Sequence, residues 1–239
     1  MIIIAGDSWG CGEWGPGGSG IIVHTGLEQY LQDDGYNVIN ISYGGSSNIH
    51  VCNQLNTSLY TLSCVKKVDE VKNIFVFQTE WHRDHRYTLP VDSIFDINYI
   101  HTVMSNYYYR LSELAIKYNV RIGLIGGCSD TIWLDKFEIE YPGVYIACHS
   151  MINLCLTDNH RTDNAAYNLL YPVNLAEEIE KANTQNKQFL LDQLELTMNR
   201  AKNLKNYPQF FAPDFKHPNR HGHLKLYNFL KQQKLFKNA

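Results

Sequence analysis

Met1-Ile2-Ile3-Ile4-Ala5-Gly6-Asp7-Ser8-Trp9-Gly10 governs how the rest of this chain is understood. Its unbroken apolar run has the signature of a strand buried on both faces of a parallel sheet. The run breaks into Gly6-Asp7-Ser8 and a glycine-rich loop, which sets one hydroxyl at the strand's carboxyl end. Ligands of open α/β sheets bind beyond those ends. Gly, Asp and Ser also build ordinary turns, so taken alone this stretch leaves a plain turn open.

Beyond it, Gly10 to Gly20 is a loop carrying Trp14, and Ile21 to Leu31 reads as a helix stopped by Asp33-Asp34-Gly35. Tyr36 to Ile41 is a second strand, running into Ser42-Tyr43-Gly44-Gly45-Ser46-Ser47-Asn48. A helix comes next, with Ile49, Cys52, Leu55, Leu59 and Leu62 at helical spacing. Asn73 to Phe77 is a third strand, succeeded by an irregular excursion over 84–96. Ile100, Met104, Tyr107, Leu111, Leu114 and Tyr118 form the buried stripe of a long helix, with Tyr107-Tyr108-Tyr109 as helix packing. Val120 to Gly127 and Gly143 to Ala147 are further strands. Residues 148–186 read as a lid or insertion, Phe189 to Leu204 as a helix, and Pro218 as the first turn of a last helix to about Lys231. Strands alternating with helices imply an α/β fold with a mostly parallel sheet covered on both faces.

Composition narrows the function. The chain has 239 residues, 44% hydrophobic and 19% charged, with a net charge of −3. That describes one globular domain over residues 1–239 with no basic footprint for nucleic acid. No stretch is long enough to span a bilayer, and the first strand begins without a charged leader, which predicts cytoplasmic synthesis with no signal peptide. Six cysteines without a C-x-x-C pair read as free thiols, several of them buried. His82, His85, His217, His221 and His223 lack a completing Glu or Cys, so no metal site is expected.

Every remaining reactive group lies just after a strand or before the last helix. Gly6-Asp7-Ser8, a glycine after the second strand, a polar position after the third, and Asp214-Phe215-Lys216-His217 occur in an order that resembles the SGNH or GDSL hydrolases. The resemblance spans Gly6 to His223. It implies a three-layer α/β/α sandwich around a five-stranded parallel sheet of flavodoxin-like order. It also implies hydrolysis of a carboxylic ester without a cofactor. The chemistry stands beside the family name. A serine hydroxyl needs a base to take its proton and a third group to orient that base. Ser8, His217 and Asp214 fit those three roles.

The resemblance further implies an oxyanion hole made of the backbone N–H of Ser8, the backbone N–H of Gly45 and an asparagine side chain. The asparagine position holds Thr79 here, so its hydroxyl or the neighbouring Gln78 amide is the expected substitute. Trp9 narrows the space beside the nucleophile, which favours a short acyl group such as O-acetyl on a carbohydrate. Trp81, like Trp14 and Trp133, either stacks on a sugar face or packs. Arg83 either pairs with Glu80 or Asp84 or clamps an anionic substrate group. Two rival functions remain: a catalytically silent carbohydrate-binding module on the same scaffold, and an acyltransferase using the same triad.

Overall fold

The computed structural model describes residues 1–15, 20–80, 83, 97–127, 130–131, 137–161, 187–188, 191, 195, 206–212 and 217–236. In chain order, β1 (Ile2–Ala5) leads into α1 (Ser8–Cys11) and a small hairpin of β2 (Glu13–Trp14) and β3 (Ile22–His24). Then come α2 (Leu27–Asp33), β4 (Val38–Asn40), α3 (Asn48–Cys64), β5 (Asn73–Gln78) and α4 (Ile97–Tyr118). The remainder is β6 (Ile122–Gly126), α5 (Phe137–Glu140), β7 (Val144–Cys148), α6 (Met151–Thr157) and α7 (Arg220–Gln232).

Five strands form one sheet in the order β4-β1-β5-β6-β7, every neighbouring pair parallel. This is the flavodoxin-like order, with its switch point beside β1. Strand side chains alternate between faces. Ile3, Ala5, Ile74, Val76, Ile122 and Leu124 pack under α3 and α4 through Val51, Leu55, Leu59, Met104 and Leu111. Ile2, Ile4, Phe75 and Phe77 face the other way, onto Leu27, Leu31, Met151, Leu154, Leu226 and Leu230 of α2, α6 and α7. Both faces of the sheet are therefore dry, and the central strands are fully buried. The expected three-layer α/β architecture is the one observed.

Several elements differ from the sequence expectation. The helix expected from Ile21 begins only at Leu27, because Ile22–His24 pairs antiparallel with Glu13–Trp14. Gly26 makes the break: its φ is +62°, and a Cβ there would meet Gly12 Cα at 2.9 Å and the His223 ring at 2.8 Å. Pro218 is not in the last helix but pairs with Phe211 in an isolated bridge, and Asn219 caps α7 instead. The segment read as a lid from residue 148 opens as core, since Met151, Ile152, Leu154 and Cys155 of α6 are buried. Residues 162–186 lie outside the described residues, as do 84–96 and nearly all of 189–204. Tyr107 and Tyr108 are core, whereas Tyr109 is half exposed and packs edge-on against Tyr141. Cys11, Cys52, Cys64, Cys148 and Cys155 are free thiols, of which Cys64 alone is exposed.

Candidate active site

The carboxyl end of β1 creates the site by a close approach. At Gly6 (φ +155°) a Cβ would fall 2.7 Å from Phe77 Cβ, so only glycine lets β1 leave the sheet so near β5. Asp7 then caps α1, its Oδ1 accepting the Trp9 N–H at 3.0 Å, and Ser8 is the first residue of that short helix. At Gly10 a Cβ would crowd the Ser42 side chain and the Phe77 ring. Asn40, at the end of β4, donates its amide to the Gly10 carbonyl at 3.0 Å. The loop after β4 is held by the Tyr43 N–H on the Gly6 carbonyl at 3.0 Å.

His217 reaches Ser8 from the far end of the chain. Its Nε2 lies 2.8 Å from Ser8 Oγ, across 209 positions of sequence. The supporting loop is fixed by Asn219, a residue that the motif pattern does not single out. The Asn219 Oδ1 accepts the His221 and Gly222 N–H groups at 2.9 and 3.1 Å, which caps α7. The Asn219 Nδ2 meets the carbonyls of Pro208, Gln209 and Phe211 at 3.1 to 3.3 Å. The one signal for it in the sequence is an Asn directly after Pro218, where a helix-starting proline competes for the same boundary. Asp214, the expected orienting carboxylate, lies outside the described residues, and so does Trp81.

Gly45 has φ +81°, and nothing lies within 4 Å of where a side chain would start. The turn thus needs glycine and leaves open space beside its backbone. Thr79 and Gln78 are both buried and turned to other work. The Thr79 hydroxyl donates to Asp7 Oδ2 at 2.9 Å and also lies 3.1 Å from Glu80 Oε2. Asn48, near the start of α3, brackets the Thr79 backbone: its Oδ1 accepts the N–H and its Nδ2 donates to the carbonyl, each at 3.1 Å. Gln78 donates from Nε2 to the Asp130 carbonyl at 2.7 Å and accepts the Tyr108 hydroxyl at 2.8 Å. The two side chains expected to replace the missing asparagine thus tie the end of β5 to the segments after β1 and β6.

Trp9 is a core residue, 2% exposed and packed with Ile2, Ile4 and Phe77. It supports the nucleophile's helix from below rather than shaping a substrate wall. Arg83 is ion-paired with Glu80 and lies 3.4 Å from Asp7 Oδ2 and 3.4 Å from the Ser46 carbonyl. It therefore ties together the loops after β1, β4 and β5. Burial pushes Asp7 up to about 6, and the Glu80 charge adds to this against the opposing pull of Arg83 and of hydrogen bonds from Trp9 and Thr79. Among the described residues no group of His, Cys, Asp and Glu is arranged to hold a metal ion.

No protein-family model matches this sequence, and no curated protein sequence matches it. Among solved structures, the chain is similar to the psychrotrophic esterase EstA from Pseudoalteromonas sp., at 11% identity and TM-score 0.43, covering 99% of this chain and 98% of that one. It is also similar to an acetyl xylan esterase from Geobacillus stearothermophilus, at 18% identity and TM-score 0.41, covering 97% of this chain and 93% of that one. A third similar structure is TesA, at 13% identity and TM-score 0.45, covering all of this chain and 99% of that one.

Proposed function

We propose that this chain is a serine esterase of the SGNH type that cleaves short acyl esters through an acyl-Ser8 intermediate. The observation that carries the reading is the 2.8 Å contact between Ser8 Oγ and His217 Nε2, at the carboxyl rim of a parallel sheet. In the first half-reaction His217 takes the Ser8 hydroxyl proton as the oxygen attacks the ester carbonyl. The tetrahedral adduct then collapses as His217 passes that proton to the departing alcohol. Water repeats the sequence on the acyl-enzyme, releasing the acid and restoring Ser8. Asp214, three positions before His217 in the sequence, is the residue proposed to orient its ring.

The negative oxygen forms beside the backbone N–H groups of Ser8 and Gly45, and the open face of Gly45 is the approach for the substrate carbonyl. Arg83, ion-paired with Glu80 and 3.4 Å from Asp7 Oδ2, holds together the loops that frame this approach. Small acyl groups on carbohydrate are the proposed class, on the polar character of the rim segments now that Trp9 is core, with Trp81 the residue proposed to stack on the sugar. No cofactor takes part.

Fluorophosphonate labelling tests the reading without a known substrate. Wild type takes one adduct, mapped to Ser8 by peptide mass spectrometry, and S8A takes none. An adduct on another residue removes the proposal. The binding-module alternative draws on one observation: the Thr79 hydroxyl donates to Asp7 and the Gln78 amide to the Asp130 carbonyl, bonds that compete with an oxyanion for the same groups. Under that alternative the wild type stays unlabelled while it and S8A bind acetylated xylo-oligosaccharide equally.

A further inference from the structure

One side chain outside the expected triad reaches both of its described members. Trp14 ends β2, and its indole N–H donates to the Ser8 carbonyl at 2.9 Å. Its ring lies 5.9 Å from the His217 ring between centroids, tilted by 41°. Its outer edge fills the space over Gly44, where a Cβ would come within 3.1 Å of the indole. A single rigid group thus touches the nucleophile's own peptide, the base, and the turn next to Gly45. The hairpin that carries it is fastened independently. Arg220, three positions beyond His217, donates both its backbone N–H and its Nε to Glu13 Oε2, at 3.1 and 2.8 Å.

We infer that Trp14 is a positioning residue for the Ser8–His217 pair. This rests on the ester-hydrolysis reading and adds to it a contact that the sequence left between sugar stacking and packing. The reason is mechanical. Ser8 starts a helix of only four residues, too short to hold its own peptide planes rigidly. The indole N–H fixes the Ser8 carbonyl and so restrains the backbone from which Cβ projects. The same ring forms a wall against the imidazole and restricts its swing away from Oγ. An indole has two rotatable side-chain bonds, so the restraint costs little conformational entropy. Displacing a reacting group by about 1 Å costs on the order of a hundredfold in rate.

The experiment pairs one variant with two probes. W14F keeps an aromatic ring and loses the N–H. It should label with fluorophosphonate about tenfold more slowly than wild type, part of the full misplacement cost. With p-nitrophenyl acetate its kcat should fall by the same factor at unchanged KM, whereas a substrate-stacking role would raise KM. An unchanged W14F labelling rate, or a KM that rises while kcat holds, overturns the role of Trp14. A wild type that takes no label overturns the ester reading beneath it instead.

Discussion

Thr79 stands between two buried carboxylates with one proton to give. Its Oγ1 lies 2.9 Å from Asp7 Oδ2 and 3.1 Å from Glu80 Oε2, so both contacts are hydrogen bonds only when one carboxyl carries a proton. The rise of Asp7 to about 6 is the same fact seen electrostatically: burial, together with the nearby Glu80 charge, favours the neutral acid. T79V keeps the shape and deletes the hydroxyl. At pH 7 it should lose about 1–3 kcal/mol of stability, the cost of leaving buried polar groups unpaired. At pH 5, where the neutral form of Asp7 is favoured and a missing donor costs it less, the loss should be smaller. Urea unfolding at the two pH values measures the difference; equal losses would contradict a shared proton.

At the scale of elements, the base is delivered by a loop and a helix that share one residue. Asn219 caps α7 through Oδ1 and holds the preceding loop through Nδ2. The two jobs separate by substitution. N219D retains the acceptor, so α7 keeps its cap, but it loses the donor to the loop carbonyls. N219A loses both. N219A should cost about 1–2 kcal/mol from the cap alone. N219D should slow fluorophosphonate labelling more than N219A does, because a carboxylate oxygen then faces the loop carbonyls that Nδ2 had bonded. Denaturant midpoints and labelling rates on the same three proteins decide this. A fully reactive N219D would mean that the bridge between Phe211 and Pro218 holds the loop by itself.

At the scale of the molecule, two buried ionisable groups pull acid stability in opposite directions. His223 on α7 is fully buried against Gly26 and Phe77, and burial pushes it down to about 3. The nearby His24 charge adds to this, while the Gly12 backbone favours the protonated ring without reaching hydrogen-bond geometry. An unfolded histidine takes a proton near 6.5, so the contribution of His223 is whole above that pH and drains away as pH falls toward 3. Asp7 has the opposite sign. Its neutral folded form is favoured, so its contribution is whole below the unfolded value of 3.8 and is lost as pH rises through about 6. Between about pH 4 and 6 the two slopes offset each other. D7N should expose the His223 slope, with stability rising across that window, and H223L should expose the Asp7 slope, with stability falling. Thermal or urea midpoints against pH test both, and matching slopes in the two variants would refute the pairing.

The buried strands and the order of blocks could be read without coordinates, because their signals are local. An apolar run such as Ile2 to Ala5 cannot be left in water, and its ending in Gly6-Asp7-Ser8 puts a hydroxyl at the rim whatever packs above it. The helical stripe of α4 was plain on its own period, while in α3 Val51 is buried and Ile49, expected in the stripe, is exposed. Tertiary structure alone decided the rest. Whether the Thr79 hydroxyl serves an oxyanion or Asp7 depends on a neighbour 72 residues away. That Trp9 lies beneath the nucleophile's helix and Trp14 against its base depends on where the chain turns, which Gly12 and Gly26 settle by letting two backbones touch. Residue type says what a side chain is able to bond. Its partner, when it comes from a distant part of the chain, is selected only as the layers close and water leaves.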